Sequence, residues 1–325
     1  MRRAGWKRWM IRALLAWLLY VGLVSIVLHP YWAVTRTSGG RVLVVEGWMH
    51  DWGLKNAADL FKTGDYDRMV VIGVRRPFAY YLHPGDTLEL VFDGARSGKL
   101  ELQIAGLPGS RWSLHTGTGA LMDGEAGKSV MPHPAHMPST EALRIVAEVE
   151  PSAGTAPSIF IAALRINGIN AHEQGSLVTI RRADGSQQTG TPTYAHHGAR
   201  LLVGNGVPDS AIVVLPTWEV ERSKTFSGGR DMAQWARLHG VDRYDVATLA
   251  VHARRTWKMH RLAHGGDEGI GIVALDDPWC RRWSWWGNYY GWYQVLKESI
   301  ALPAPWLVDR FNSSDGEEPT SPGLQ

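Results

Sequence analysis

The sequence is poor in the residues and motifs that assign a chemistry at first sight. Its 325 residues include one cysteine, Cys280, so the chain cannot form an internal disulfide. The net charge is +3, and beyond the N-terminus no basic segment interleaves with aromatic residues, so we predict no nucleic-acid partner. The glycine-rich phosphate-binding loops, the GxSxG motif of serine hydrolases and the HExxH motif of zinc proteases are missing. These absences leave any cofactor undefined, and we predict no metal site.

Charge is also missing from an apolar run near the N-terminus, residues 13–28, which follows a basic flank of Arg2, Arg3, Lys7, Arg8 and Arg12. As a helix this run measures about 24 Å, slightly less than the ~30 Å hydrocarbon core of a bilayer, and the two preceding apolar residues extend it. A positively charged flank stays in the cytoplasm. We therefore predict that residues 1–35 form a short cytoplasmic basic segment and a single-pass signal anchor, and that the main domains are extracytoplasmic. A cleaved signal peptide is the alternative, but His29-Pro30-Tyr31-Trp32 stands where a small-residue cleavage site is needed.

Hydrophobic patterning divides the remaining chain into an α/β part and an insertion. Residues 36–75 and 191–309 alternate amphipathic helices with continuous apolar strands at 41–46, 68–73, 211–215, 245–251 and 269–275. Strands of this kind are typical of a parallel sheet covered by helices, here with about five strands. Residues 76–190 instead alternate apolar and polar positions, with a turn expected at Ser97-Gly98, and predict an inserted antiparallel β-sandwich. The polar tail, 310–325, is predicted to be disordered.

The most informative junction lies where the apolar strand DVATLAV meets His252, Arg254 and Arg255. A strand that feeds a helix this abruptly leaves backbone N–H groups without partners. Guanidinium groups beside them favour an anion, and we predict phosphate. A charged helix start with solvated arginines is the alternative. Histidine as a residue type changes its charge near neutral pH, so His252 is a candidate for general acid or base chemistry.

Other candidates follow from the rule that ligands of a parallel sheet bind beyond the carboxyl ends of its strands. Glu46 ends a fully apolar strand, and Glu219 lies in a polar loop after another. We predict catalytic roles for His252, Glu46 and Glu219, although Glu46 is equally compatible with a carboxylate satisfied by backbone N–H groups. Thr225 is a candidate for ligand binding, for capping the next helix, or for both. The predicted ligand-binding residues are Gly47, Trp48, Arg222, Thr225, Arg254, Arg255 and Trp286.

Trp286 belongs to an aromatic segment, residues 279–292, in a chain that contains 16 tryptophans. Tryptophan is favoured where one side is apolar and the other is wet. The segment is therefore interpreted either as a membrane-interface surface beside the anchor or as a lid over the carboxyl edge of the sheet. Ordinary core packing is the third alternative.

Several segments together resemble a branch of the ElyC/SanA/YdcF-like family. They are VLVVEGW (42–48), GARLLVGNGVPDSAIVVLP (198–216), WEVERSKTF (218–226), HARR (252–255) and RRWSWWGNYYGWYQVLKESIA (281–301). The resemblance implies a Rossmann-like domain tethered to the bacterial inner membrane and facing the periplasm, with a role in envelope, peptidoglycan or lipid-carrier metabolism. The recurrent family positions are matched by Glu46, Gly47, Glu219, Arg222, Thr225, His252, Arg254, Arg255 and Glu298. The chain departs from the family in its first turn, Glu-Gly-Trp, and after Gly73, where the insertion begins.

Within the insertion, SIFIAALRINGIN (158–170) is similar to the closing strand of calcium-dependent xylan-binding modules, whose acidic calcium loop is not evident here. That similarity implies glycan recognition, for which Tyr80, Tyr81 and Trp112 are the candidate stacking residues. Ordinary core or surface packing is the alternative for all of them.

Taken together, these patterns predict a membrane-anchored extracytoplasmic protein that binds a phosphorylated envelope, glycan or lipid-carrier intermediate. They leave open whether it also acts on that ligand. The alternative is a non-enzymatic accessory of polysaccharide or envelope assembly that recognises glycan through the insertion.

Overall fold

The computed structural model describes residues 2–148, 158–266 and 269–301, which divide into two units. One unit contains the described chain up to Val74 and from Tyr194 onward, and the other extends from Arg75 to Thr193. The predicted disordered tail, 310–325, lies outside the described residues.

The chain begins with a long helix, of which Arg8–Trp32 is long and apolar enough to cross a membrane. It consists of α1 (Arg2–Leu23), a π-helical turn (Val24–Leu28) and the short helix α2 (His29–Trp32). Its second half packs on the rest of the unit, where Trp285 Nε1 donates a 3.0 Å hydrogen bond to Ser25 Oγ. Val24 and Trp32 join a buried cluster with Val251, Cys280, Trp285 and Val295. The predicted apolar helix is therefore present, and its end is part of a folded core.

The first unit alternates strands and helices as the patterning predicts. The first half contains β1 (Val42–Glu46), α3 (Asp51–Thr63) and β2 (Arg68–Val74). The second unit contains β3 (Tyr80–Leu82), β4 (Thr87–Gly106), β5 (Arg111–Thr116), β6 (Gly119–Glu125), β7 (Met131–Ala147), β8 (Ile159–Ile166), β9 (Ile169–Asn170), β10 (Ser176–Arg181) and β11 (Gln187–Thr189). The first unit then resumes with α4 (Tyr194–Gly204), β12 (Ile212–Thr217), α5 (Lys224–Leu238), β13 (Tyr244–Leu249), α6 (Ala253–His264), β14 (Ile270–Leu275) and α7 (Tyr289–Ala301).

The α/β unit is built on a five-stranded parallel sheet with the order β12-β2-β1-β13-β14. The central strands β1 and β13 are buried along their whole length because helices cover both faces. On one face Leu54 of α3 and Leu202 of α4 belong to a core with Val45. On the other face Met232 of α5 and Trp257 of α6 belong to a second core. The predicted parallel sheet of about five strands is confirmed.

Close packing of α4 on the sheet explains two glycines at strand ends. A Cβ added to Gly47 would lie 2.2 Å from the Tyr194 carbonyl oxygen, and one added to Gly73 would lie 2.2 Å from the Ala195 nitrogen. Both distances are far below van der Waals contact. The start of α4 therefore depends on the absence of a side chain at these positions.

The strand before the charged junction ends earlier than predicted, at Leu249. Ala250 follows with a φ of 27°, in a region that residues with a Cβ rarely adopt, and begins a 3-10 turn, Ala250–His252. The turn directs Val251 into the buried cluster beneath the N-terminal helix. The helix α6 then begins at Ala253, as predicted.

The second unit is a nine-stranded antiparallel sheet, in which β11-β10-β4-β7-β5-β6 form the main path and β3, β8 and β9 extend from it. Alternate residues of β4, including Leu88, Leu90, Leu100 and Leu102, face one core. The prediction of a turn at Ser97-Gly98 is wrong, since β4 continues through this point. The register with β7 shifts between Val91 and Gly98, so the turn-forming residues produce β-bulges instead.

Candidate functional site

A cavity of about 180 Å³ lies at the carboxyl ends of β1 and β13. These neighbouring strands flank the point where the strand order of the sheet reverses, which is where ligands of open parallel sheets bind. Its lining is largely polar and comprises Glu46, Trp48, Met49, His50, Thr225, Thr248, Leu249, His252, Arg255, Thr256, Tyr290, Gln294 and Lys297.

Three helices begin at this cavity. His50 immediately precedes α3, Thr225 lies in the first turn of α5, and His252 immediately precedes α6. The helices contain 13, 15 and 12 residues respectively, so each has a developed macrodipole with its positive end at the N-terminus. Convergence of these ends makes the cavity electropositive even before side-chain charges are considered.

The cap of α5 is Ser223, whose Oγ accepts a 3.2 Å hydrogen bond from the backbone N–H of Phe226. Thr225 is therefore not the N-cap residue that the sequence allowed. Thr225 is the second residue of the helix, where its buried side chain lines the cavity. Serine caps the helix because its extended backbone aims the hydroxyl at the first turn.

Glu298 of α7 pairs with two residues of the charged junction, His252 and Arg255. Its Oε1 lies 2.6 Å from His252 Nδ1, and its Oε2 accepts a 2.9 Å hydrogen bond from Arg255 Nε. The Glu298 side chain is 1% exposed. Burial alone would raise its pKa, but hydrogen bonds from His252 and Arg255 outweigh that effect and lower the pKa of Glu298 to about 2. Glu298 is thus an ionised carboxylate that orients the His252 ring and the Arg255 guanidinium.

Glu46 has the opposite environment. Its Oε2 accepts a 2.6 Å hydrogen bond from the Thr248 hydroxyl, whereas its Oε1 has no hydrogen-bond partner among the described residues. Burial raises the pKa of Glu46, although the Thr248 hydroxyl and the charges of His252 and Arg255 work against the shift. Glu46 lines the cavity, and Glu298 pairs with the lining residues His252 and Arg255. The pKa values of these two carboxyl groups are displaced in opposite directions, an arrangement suited to different roles.

Helix α7 closes the remaining side. Tyr290, Gln294 and Lys297 line the cavity at helical spacing, and Gln294 Oε1 is a second buried acceptor without a partner among the described residues. Burial lowers the pKa of Lys297, and the positive charge of Arg255 lowers it further. Unpaired buried acceptors beside mutually repelling cations favour a ligand that carries both negative charge and hydrogen-bond donors.

The structure gathers only part of the predicted site. Glu46, Trp48, Thr225, His252 and Arg255 line the cavity, and Gly47 lies directly beneath the start of α4. The residues that sequence reasoning missed are His50, Thr248, Tyr290, Gln294 and Lys297. Tyr290, Gln294, Lys297 and Glu298 are spaced so that they lie on one side of a helix, and this spacing can be recognised in the sequence.

Other predicted ligand-binding residues lie elsewhere. Arg254 donates to the Tyr31 carbonyl oxygen, and its guanidinium lies 3.8 Å from the centroid of the Tyr31 ring. Trp286 packs edge-on against Trp17 of the N-terminal helix, with ring centroids 5.9 Å apart.

Two loop residues are also separate from the cavity. Arg222 is exposed over the Phe226 ring. Glu219 is exposed in a different groove, lined by Trp218, Arg230 and Trp235 among others. Neither residue lines the cavity at β1 and β13.

The candidate sugar-stacking residues do not form an exposed row. Tyr80 is buried and lies 2.7 Å, through its hydroxyl, from His172 Nε2. Trp112 is buried in the core of the same unit. Tyr81 is exposed and stacks on Phe160. A glycan-binding role of the insertion depended on an exposed row of these aromatic residues, so it is no longer supported.

No group of three or more potential metal ligands occurs within the described ranges. No model of a known protein family matches this chain, and no curated protein matches it either.

Proposed function

We propose that this protein is a membrane-anchored, extracytoplasmic α/β protein that binds the phosphoryl group of a cell-envelope intermediate in the cavity at β1 and β13. The observation that carries the proposal is the convergence of the N-termini of α3, α5 and α6 with Arg255 and Lys297 around one cavity. Backbone N–H groups, helix dipoles and cationic side chains are the standard elements of phosphate recognition.

The charge balance of the cavity supports an anion. Glu298 is ionised and offsets one positive charge, whereas the raised pKa of Glu46 favours its neutral form. The positive charge of Arg255 and Lys297 therefore exceeds the negative charge of Glu298. A bound anion would also relieve the repulsion between Arg255 and Lys297.

The size of the cavity defines what enters it. Sites for drug-sized ligands occupy roughly 300–1,000 Å³. The volume here, about 180 Å³, is smaller and suits a phosphoryl group with a few further atoms. The remainder of a glycan or lipid-carrier intermediate would lie outside the cavity.

The site also suits proton transfer. Glu298 engages His252 on Nδ1 and fixes the orientation of a ring that lines the cavity. We assign His252 the role of general acid or base, Glu298 the role of positioning it, and Glu46 the role of a proton donor or of a partner for a ligand hydroxyl.

Membership of the ElyC/SanA/YdcF-like family and residence at the bacterial inner membrane, with the main units in the periplasm, are parts of this proposal. In chain order the strands of the parallel sheet lie 3-2-1-4-5, which supports the Rossmann-like class. The basic N-terminal flank supports the orientation.

Phosphate binding by the full-length protein in detergent micelles tests the proposal, with inorganic phosphate as the probe and calorimetry as the readout. We expect Arg255→Gln to weaken binding at least about tenfold, or about 1.4 kcal/mol. The matched control is Arg254→Gln, which removes the neighbouring guanidinium outside the cavity and should bind as the wild type does.

Lys297→Gln keeps the pairs of Glu298 intact and separates lost binding from lost folding. It should weaken phosphate binding several-fold while the unfolding transition stays unchanged. Absence of binding by the wild type, or equal binding by all variants, would overturn the proposal.

A further inference from the structure

The aromatic segment 279–292, which includes the first turn of α7, packs along the N-terminal helix. Trp286 contacts Trp17, and Trp292 stacks on Tyr20 with ring centroids 5.9 Å apart. Arg282 Nε donates a 2.8 Å hydrogen bond to the Ser25 carbonyl oxygen. The part of the apolar helix that follows Trp17 is thus docked on its own domain.

The length of helix that these contacts cover determines how deeply the aromatic segment enters the membrane. Arg8–Trp32 contains 25 residues, which at 1.5 Å per residue cover about 37 Å. The stretch from Trp17 to Trp32 measures about 22 Å, whereas the polar interface on each side of the hydrocarbon core is only about 5–8 Å thick. If the helix crosses a bilayer, the aromatic segment must enter the leaflet into which the helix emerges.

The exposed surface of this region suits that environment. Tyr289, Tyr293, Leu296 and Ile300 form one exposed stripe along α7, at positions i, i+4, i+7 and i+11. Trp283 and Trp286, which precede α7 in the chain, are also exposed. Tyrosine and tryptophan are the residues that membrane interfaces favour, and the stripe adjoins the face of α7 that lines the cavity.

Several backbone polar groups of the segment form hydrogen bonds within the protein, as an apolar medium requires. The N–H groups of Ser284 and Trp285 both donate to the Arg281 carbonyl oxygen, and that of Gly287 donates to Ser284. The carbonyl oxygens of Trp279 and Trp286 accept from the Asn288 amide and the Trp292 indole. Lipid tolerates irregular backbone only where its polar groups are satisfied within the protein.

We infer that residues 279–292 and the exposed stripe of α7 form an interfacial wedge. This wedge inserts into the extracytoplasmic leaflet of the bilayer that the N-terminal helix crosses. It lies at the boundary between the lipid headgroups and the acyl chains. The wedge rests on the membrane anchor of the proposed function. It also places the mouth of the cavity at the membrane surface, because α7 presents one face to lipid and the adjoining face to the cavity.

The test uses the full-length protein in phospholipid vesicles, labelled at single introduced cysteines with a fluorophore. The natural Cys280 is fully buried and should not react. The wedge is probed by Tyr289→Cys and Ile300→Cys. The matched control is Leu238→Cys, since Leu238 is 76% exposed and Ile300 is 77% exposed. Leu238 ends α5 about 20 Å from the first turn that lines the cavity.

A further variant, Leu14→Cys, reports on the anchor itself. Acyl-chain quenchers should reduce fluorescence at positions 14, 289 and 300 at least three-fold more than at position 238. Quenching at position 14 but not at 289 and 300 would overturn the wedge and leave the anchor standing. Absence of quenching at position 14 would overturn both.

Aqueous iodide provides the complementary measurement. It should quench the label at position 238 and largely spare those at 289 and 300. Protection of these two from both quenchers would mean that a second protein molecule covers the stripe, which also overturns the wedge.

Discussion

Replacing Glu298 with glutamine is the most direct test of how the site is held together. The carboxylate is buried, pairs with His252 and Arg255, and has its pKa lowered from 4.5 to about 2. A displacement of roughly 2.5 units at 1.36 kcal/mol per unit corresponds to about 3 kcal/mol of folding free energy. This value agrees with the ~3–5 kcal/mol that removal of one partner costs in a buried ion pair. We therefore expect Glu298→Gln to lower the free energy of unfolding by about 3 kcal/mol at pH 7.

The pH dependence provides a second signature of the same interaction. Because the folded state lowers the pKa of Glu298, its stabilisation is fully present above about pH 4.5 and is lost as the pH falls towards 2. The wild type should lose this contribution over that window, and Glu298→Gln should not. Urea unfolding in detergent micelles, followed by tryptophan fluorescence, measures both effects.

Glu219→Gln is the matched control, since Glu219 is exposed and lines a groove that contains no member of the Glu298 cluster. It should change the free energy of unfolding by less than about 0.5 kcal/mol. A loss below 1 kcal/mol for Glu298→Gln, with an unchanged acid transition, would refute the reasoning, because Arg255 would then tolerate burial without its counterion.

Two further predictions concern packing and burial away from the charged cluster. Gly47→Ala should cost at least about 2 kcal/mol in urea unfolding, because the new methyl group overlaps the Tyr194 carbonyl; Gly204→Ala, which meets no atom within 4 Å, should cost far less. His260 is fully buried without hydrogen-bond partners among the described residues, and burial lowers its pKa to about 3. Because the unfolded chain takes up the proton first, the wild type should lose up to about 1.4 kcal/mol per pH unit between pH 6.5 and 3. His260→Leu should flatten that slope, and an unaltered slope would contradict the assignment to His260.

Local patterning predicted most elements of the α/β unit, because periodicity and end signals act over a few residues. The strand predicted at 68–73 is observed as Arg68–Val74, and the helix α6 is observed as Ala253–His264. The bulges of β4 were mistaken for a turn because Ser97-Gly98 suits either conformation, and only pairing with β7 selects one.

One error in the insertion was avoidable from the sequence. Neighbouring residues of a strand point to opposite faces, so Tyr80 and Tyr81 could never belong to one exposed row. Their strand β3 buries the first and exposes the second. Which face became the core was decided by packing of the sheet, where the Tyr80 hydroxyl meets His172.

The sequence by itself determined the apolar N-terminal helix, the order of strands and helices, and the carboxyl-edge positions of Glu46, His252 and Arg255. Tertiary structure alone decided which charges share the cavity. Arg254 and Arg255 are adjacent in sequence but about 100° apart around a helix, and packing sends the first to Tyr31 and the second to Glu298. The helix α7 brings Gln294, Lys297 and Glu298 to the site. Glu298 is more than 40 positions from Arg255 along the chain. No local pattern encodes such a meeting, because the burial that makes it specific exists only once the sheet, α6 and α7 have assembled.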